Sequence, residues 1–263
     1  MVSPLQAVQD LLDREVFGSV VTITDGPAVG DKAVIDSAGE VVGGSIPNEI
    51  EEDVVADALS LMGHEQHRTM QYGDHEVFVE TLAPPPEMVI FGAVHVAQSL
   101  ATFASQMGYR VTVADSRAVF ATEERFPGSR VLVGNPDEIL DQITLDRRTW
   151  VIILSHEKRL EDPVIEAALK SPVRYIGAMG SRRTHALRVE RLQEKGFSDE
   201  DIVRIHGPVG LDIGAESPQE VAVSILAEMT QVRYGHGSGM PLRGVEGRVH
   251  KQRPDKTGEV LSD

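Results

Sequence analysis

The sequence predicts an α/β protein with two parts, a small N-terminal α+β domain and then a Rossmann-like, doubly wound parallel sheet. Three observations predict it. Apolar strands alternate with amphipathic helices from residue 88 to residue 233, the pattern of a parallel sheet covered on both faces. The stretch before residue 84 carries instead two helices and a set of short, hairpin-like strands. Between them, Ala83-Pro84-Pro85-Pro86 is a stiff connector, because consecutive prolines favour extended polyproline II and continue neither a helix nor a sheet ladder. The expected domains are residues 1–84 and 85–236, with 237–263 as a polar, glycine-rich, aperiodic tail.

Taken in order, Leu5, Val8, Leu11, Leu12 and Val16 recur at helical spacing behind Ser3-Pro4, a cap and first-turn pair. Residues 19–24 and 32–36 read as strands, and Ser37-Ala38-Gly39 turns the chain into a return strand at Val41-Val42. Ile50, Val54, Ala58 and Leu61 mark one face of an acidic helix, and strands at 67–72 and 76–82 close this part. Beyond the prolines the expected series is strand 88–92, helix 95–107, strand 110–115, short strand 131–133, strand 150–154, helix 163–170 and strand 174–176. A helix at 183–195, a strand at 202–205 and a helix at 218–233 complete it.

Composition excludes several functions. The net charge is −16, and residues 1–84 carry 16 acidic against 3 basic residues. Residues 85–236 hold 21 and 17, and 237–263 hold 4 and 5. Such a chain makes a poor partner for nucleic acid, which demands a basic surface. The acidic N-terminal part reads either as a solvated face or as a docking face for a basic protein. No apolar run approaches the roughly 20 residues a bilayer needs, and the first residues form no basic, apolar leader, so a cytoplasmic location is expected. With no cysteine, a disulfide, a thiolate metal site and a sulfur nucleophile are all ruled out. The nine histidines fall at no metal-ligand spacing, and no H-E-x-x-H, G-x-S-x-G or P-loop string occurs.

The most informative turn is Gly92-Ala93-Val94-His95-Val96-Ala97, a dinucleotide-type strand-to-helix turn with valine at its middle glycine position. In the G-x-G-x-x-G/A turn that middle glycine lets the backbone approach a pyrophosphate, so a valine side chain there is expected to point where phosphate oxygens would lie. Asp115 closes the next strand, 23 residues after Gly92, either as a ribose-binding acid or as a capping aspartate. His95 stands at a helix start, where unpaired backbone N–H groups welcome an anion, or is simply structural. His156 follows Ser155 at the end of another strand and suits the same cleft. The segment from Tyr175 to Thr184 is the best anion site. Gly180 lets the chain bend, Ser181 caps the following helix, and Arg182 and Arg183 bring two fixed positive charges to its N-terminus. The alternative is an arginine paired with Glu190 on the surface. Asp212, in a glycine-flanked loop at the same edge, is a further candidate. Ser217 to Glu220 is a capping box with proline at the first helical position.

Residues 89–115, with Tyr175-Ile176-Gly177-Ala178-Met179-Gly180-Ser181-Arg182-Arg183 and Ile205-His206-Gly207-Pro208-Val209-Gly210-Leu211-Asp212-Ile213-Gly214-Ala215, strongly resemble the XdhC/CoxI family. These are maturation factors of molybdenum hydroxylases such as xanthine dehydrogenase and carbon monoxide dehydrogenase. The resemblance covers residues 85–234 in order, and more weakly 18–62 as the family's N-terminal domain. It implies an accessory protein rather than an enzyme. Such a protein receives the molybdenum cofactor (molybdopterin), protects it while a cysteine desulfurase supplies a sulfido ligand, and passes it to the hydroxylase apoenzyme. Ser181, Arg182 and Arg183 would hold the phosphate, with His95, Asp115 and His156 lining the cleft.

The sequence departs from the family at three places. The usual glycine-alanine-glycine-histidine turn is Gly92-Ala93-Val94-His95, and the N-terminal cysteine turn is replaced by Gly43-Gly44-Ser45-Ile46-Pro47-Asn48-Glu49. A threonine-histidine-aspartate-histidine string appears as Ser155-His156-Glu157-Lys158. Two other functions compete with the maturation factor. One is an NAD(P)-dependent oxidoreductase, and the other is a non-catalytic interaction protein of a molybdoenzyme complex. The number of protomers stays open, a homodimer among the alternatives.

Overall fold

The computed structural model describes residues 2–155, 157–235 and 237–245. It divides into two compact units, one made of the chain up to Pro84 with the segment from Arg233 onward, the other running from Pro85 to Val232.

In the first unit, α1 (Pro4–Asp13) begins where Ser3 accepts a hydrogen bond from the Gln6 N–H, with proline at the first helical position. A five-stranded antiparallel sheet follows in the order β3-β2-β1-β5-β4, built from β1 (Gly18–Asp25), β2 (Lys32–Asp36), β3 (Val41–Gly44), β4 (Arg68–Tyr72) and β5 (His75–Leu82). The long α2 (Asn48–Gly63) lays Ile50, Val54, Ala58 and Leu61 on the sheet face that presents Val21, Ile23, Val77 and Val79. The opposite face is covered by α1 through Ala7 and Leu11. Leu11 to Val34 and Val54 to Val77 are thus two apolar layers around one sheet. At the unit's far end Arg233 pairs with Glu65.

The second unit is a six-stranded, wholly parallel sheet. Its strands are β6 (Glu87–Phe91), β7 (Arg110–Asp115), β8 (Arg130–Val133), β9 (Thr149–Ile153), β10 (Tyr175–Ala178) and β11 (Ile205–His206). They lie in the order β11-β10-β9-β6-β7-β8. Strand order therefore reverses between β6 and β9, the point where open α/β sheets leave a crevice at the carboxyl ends. The helices are α3 (His95–Gln106), α4 (Pro136–Leu140), α5 (Lys158–Leu169), α6 (Arg182–Glu194), α7 (Asp199–Ile202) and α8 (Pro218–Tyr234). One face packs α3 and α8 on Met88, Ile90, Trp150, Ile152 and Tyr175. The other packs α5 and α6 on Val89, Phe91, Val151, Ile153 and Ile176. Central strands buried on both sides explain why β9 reads Thr149-Trp150-Val151-Ile152-Ile153 without alternation.

Some elements differ from the sequence expectation. The helix expected from Pro163 starts five residues earlier, at Lys158, and carries Pro163 inside it. As the sixth residue of the helix, Pro163 forfeits one ladder hydrogen bond, the one its N–H would have made to the Arg159 carbonyl. The strand expected at 202–205 is split. Ser198 and Asp201 form a reciprocal capping box that closes the one-turn α7, and only Ile205–His206 pairs with β10. Helix α4 was not expected, although Asn135 and Glu138 cap it by the same device. The aperiodic tail contributes a 3₁₀ turn, Leu242–Gly244, and from residue 246 onward lies outside the described residues. Among the described residues, no helix is long and apolar enough to cross a membrane.

Candidate functional site

The crevice at the reversal point is a small, open cleft, lined among others by Gly92, Asp115, Ser116, Gly134 and Ser155, with Ile139 and Leu160 as its apolar wall. Gly92 sits at φ +112°, and a Cβ there would stand 3.0 Å from the Ser155 backbone nitrogen. A side chain would hold apart the ends of β6 and β9, so glycine is required by both backbone angle and space.

The turn itself is closed by the protein's own groups. Ala93 N–H donates to Asp115 Oδ2 at 2.8 Å, and the Ala93 carbonyl accepts from Arg125 at 3.1 Å. Asp115 also accepts from Arg117 through its backbone N–H, Nε and one Nη, at 2.8 to 2.9 Å. Arg117 lies over the Phe120 ring, whose own carbonyl accepts from Arg125. The contacts close a circuit from Ala93 N–H to Ala93 carbonyl. Burial works against the charge on Asp115, but the bonds from Arg117 and Ala93 outweigh it and hold the carboxyl below the usual carboxylate range. Asp115 thus holds the turn and also lines the cleft.

Val94 corrects an expectation. Its side chain is half-buried and packs against the apolar cluster under α3 and α8, not into phosphate space. Burying an isopropyl group is favourable whenever the core is within reach. Val94 is also the residue preceding α3, and no side chain caps that helix. His95, the first residue of α3, is exposed.

The loop after β10 is different. Gly180 takes φ +144°, and Ser181 caps α6 by accepting the Thr184 N–H at 3.1 Å. Ser181, Arg182 and Arg183 are all exposed. Among the described residues neither guanidinium has a hydrogen-bond or ion-pair partner, Glu190 included. Two uncompensated cations at a helix N-terminus add to the positive end of its dipole. β10 lies two strands from β6, roughly 10 Å across the sheet, so this loop opens on the same edge as the cleft.

The loop is anchored from beneath. Arg188, fully buried, makes a two-pronged ion pair with Glu161 of α5 at 2.7 and 3.0 Å and donates to the Met179 carbonyl at 2.9 Å. His185 places Nδ1 3.3 Å from Arg188 Nη1. Burial, and then the Arg188 charge, push the His185 imidazole below its usual value, with Glu161 opposing. At the end of β11, Glu228 of α8 accepts from Tyr175, His206 and the Gly210 N–H and so fixes the following loop. Burial opposes the Glu228 charge, and these bonds win, holding it low.

The strand order, the glycine turn and the Gly180–Arg183 loop together match a known domain. The model of the XdhC Rossmann domain matches residues 88–229, more than half of the chain. The chain belongs to the XdhC family. It is 34% identical over 150 residues to the molybdenum cofactor insertion chaperone PaoD of Escherichia coli (strain K12), covering 57% of this chain and 41% of that one. A probable xanthine dehydrogenase component of Bacillus subtilis (strain 168) is 30% identical over 158 residues, covering 60% and 46%. The chain thus spans less than half the length of either relative. A crystal structure described as that of a xanthine dehydrogenase from Bacillus halodurans superposes with a TM-score of 0.52 at 18% identity, over 92% of this chain and 98% of that one. That likeness concerns the fold.

Within this XdhC domain the expected residues separate into groups. Gly92 and Asp115 line the cleft, and Gly180, Ser181, Arg182 and Arg183 form the exposed loop two strands away. Asp212 is exposed between β11 and α8 without a hydrogen bond among the described residues. His156 lies outside the described residues. Sequence reasoning missed Arg125, Glu161, His185 and Arg188. Arg188 and Arg191 share one helix face with spacing i, i+3, but only the fold shows that Glu161 and Asp162 meet them.

Proposed function

We propose that the chain is a cytoplasmic maturation factor that binds molybdenum cofactor and assists its sulfuration and insertion into a hydroxylase of the xanthine or carbon monoxide dehydrogenase type. The observation that carries this reading is the Gly180–Arg183 loop, in which two arginines without internal partners stand at a helix N-terminus on the ligand edge of an XdhC domain. The cofactor is the cargo, and its phosphate suits that loop: Ser181 and the first turn of α6 supply N–H and hydroxyl groups, and Arg182 and Arg183 supply charge. Gly92, His95, Asp115 and Asp212 are assigned to the walls along which the pterin lies. The names of the relatives from Escherichia coli and Bacillus subtilis support the same cargo and client. A hydroxylase apoenzyme and a cysteine desulfurase are the proposed partners. No cysteine of this chain takes part in sulfur transfer, because it has none, so the sulfido ligand comes from the desulfurase while this chain holds the cargo.

Calorimetric titration with isolated molybdenum cofactor tests the reading. Binding by the wild type that weakens on the order of a hundredfold in Arg182→Ala/Arg183→Ala is expected, and a wild type that binds nothing overturns it. The NAD(P) alternative draws on the strand order, which is that of dinucleotide-binding sheets. A null titration with both NAD and NADP rejects it.

A further inference from the structure

We propose that Arg188 and Glu161 are positioning residues for the anion loop. They form a buried strut that holds the Met179 carbonyl, and through it Gly180 to Arg183, against helix α5. The proposal rests on the reading of that loop as the phosphate site of the cargo.

The pair is costly for what it adds to stability. Arg188 is 0% exposed and Glu161 3%, and removing two charges from water offsets most or all of their attraction, so apolar residues of the same volume fill such a place equally well. A third contact distinguishes this pair. Besides its two bonds to Glu161, Arg188 donates to the Met179 carbonyl at 2.9 Å. Met179 N–H in turn donates to the Ile153 carbonyl at 2.8 Å. Both backbone polar groups of the residue before Gly180 are therefore fixed, one to the end of β9 and one to Arg188.

Glu161 stands in the first helical turns of α5, just beyond the loop that carries Ser155. The strut thus links the Gly180–Arg183 loop to the first turn of α5. Holding α5 to α6 does not depend on it alone. Arg191 bonds both Glu161 at 3.1 Å and Asp162 at 2.9 Å, and Lys195 bonds Asp162 at 3.2 Å, so α5 and α6 stay tied through Asp162 when the strut is removed. Arg182 and Arg183 have no side-chain anchor among the described residues, so the direction in which they project is set by the backbone that Arg188 fixes.

The test uses the full chain, with urea unfolding and calorimetric titration of isolated molybdenum cofactor measured on the same samples. Arg188→Met/Glu161→Leu replaces the pair by apolar groups, and Arg188→Lys keeps a charge for Glu161 but loses the planar fork that reaches Met179 as well. The first is expected to keep or exceed the wild-type urea midpoint yet bind about tenfold more weakly, the scale on which outer partners of a binding group act. Arg188→Lys is expected to lose a similar factor. Folded variants with wild-type affinity overturn the strut while leaving the phosphate reading intact, provided Arg182→Ala/Arg183→Ala still weakens binding. A wild type without affinity overturns both. If the apolar pair does not fold, the lysine variant decides, and if neither folds the pair is a stability element and the proposal fails.

Discussion

Two strand-to-helix loops of the parallel sheet make an instructive pair. Each leaves the carboxyl end of a strand through a glycine at positive φ, Gly92 after β6 and Gly180 after β10, and each opens a helix of a dozen or so residues. The first has the more familiar outline, but its polar groups are spent internally, with Ala93 held at both N–H and carbonyl by Asp115 and Arg125. The second has no dinucleotide signature, yet it leaves two guanidiniums without partners. Anion capacity therefore follows from which groups the neighbours leave uncommitted, and a glycine pattern alone does not determine it.

The comparison breaks most visibly at the second loop. Arg182→Ala/Arg183→Ala is expected to cost about 3 kcal/mol of cofactor binding, on the order of a hundredfold, if each arginine makes one charge-assisted bond. Thermal unfolding of the same variant should match the wild type, since neither side chain has a partner to lose. At the first loop the effect moves to stability. Asp115→Ala leaves Arg117 and the Ala93 N–H unpaired and is expected to lower unfolding free energy by about 2 kcal/mol, less than for a fully buried pair because Arg117 remains half exposed. Urea unfolding measures it. Val94→Gly restores the missing glycine and is expected to lose about 1 kcal/mol from backbone entropy and half-buried apolar surface. It should gain no affinity for NAD by calorimetry, because Ala93 stays committed.

The smallest expected effect is on pH dependence, beneath the second loop. The folded chain holds His185 below its usual 6.5. Between 6.5 and that lower value the unfolded chain binds more protons, so this histidine contributes stability fully present above pH 6.5 and lost as pH falls below it. His185→Gln should flatten the urea midpoint against pH in that window. An unchanged slope would assign the dependence to another group.

Much of the fold was legible. Apolar runs at 88–91 and 150–153, set in a series of strands and amphipathic helices, identify central parallel strands from residue order alone. Ser3-Pro4 and Ser217-Pro218 mark helix starts because capping chemistry is local. The split of 202–205 into α7 and β11 was not legible, since a one-turn helix has too few residues for a period, and its capping box was the only signal. The exposed positive charge of the loop with Arg182 and Arg183 was readable from residue types alone. The commitments of Asp115, Arg125, Arg188 and Glu161 were not.

By itself, then, the sequence determined the fold class and the loop that carries free positive charge, because periodicity, capping and clustered residue types act over a few positions, while the family was read from the resemblance of its motif strings. Tertiary structure alone decided which polar groups remain available at the ligand edge. That choice depends on partners 22 to 32 residues away at Ala93 and 27 residues away at Arg188, brought within hydrogen-bond distance only when the sheet assembles.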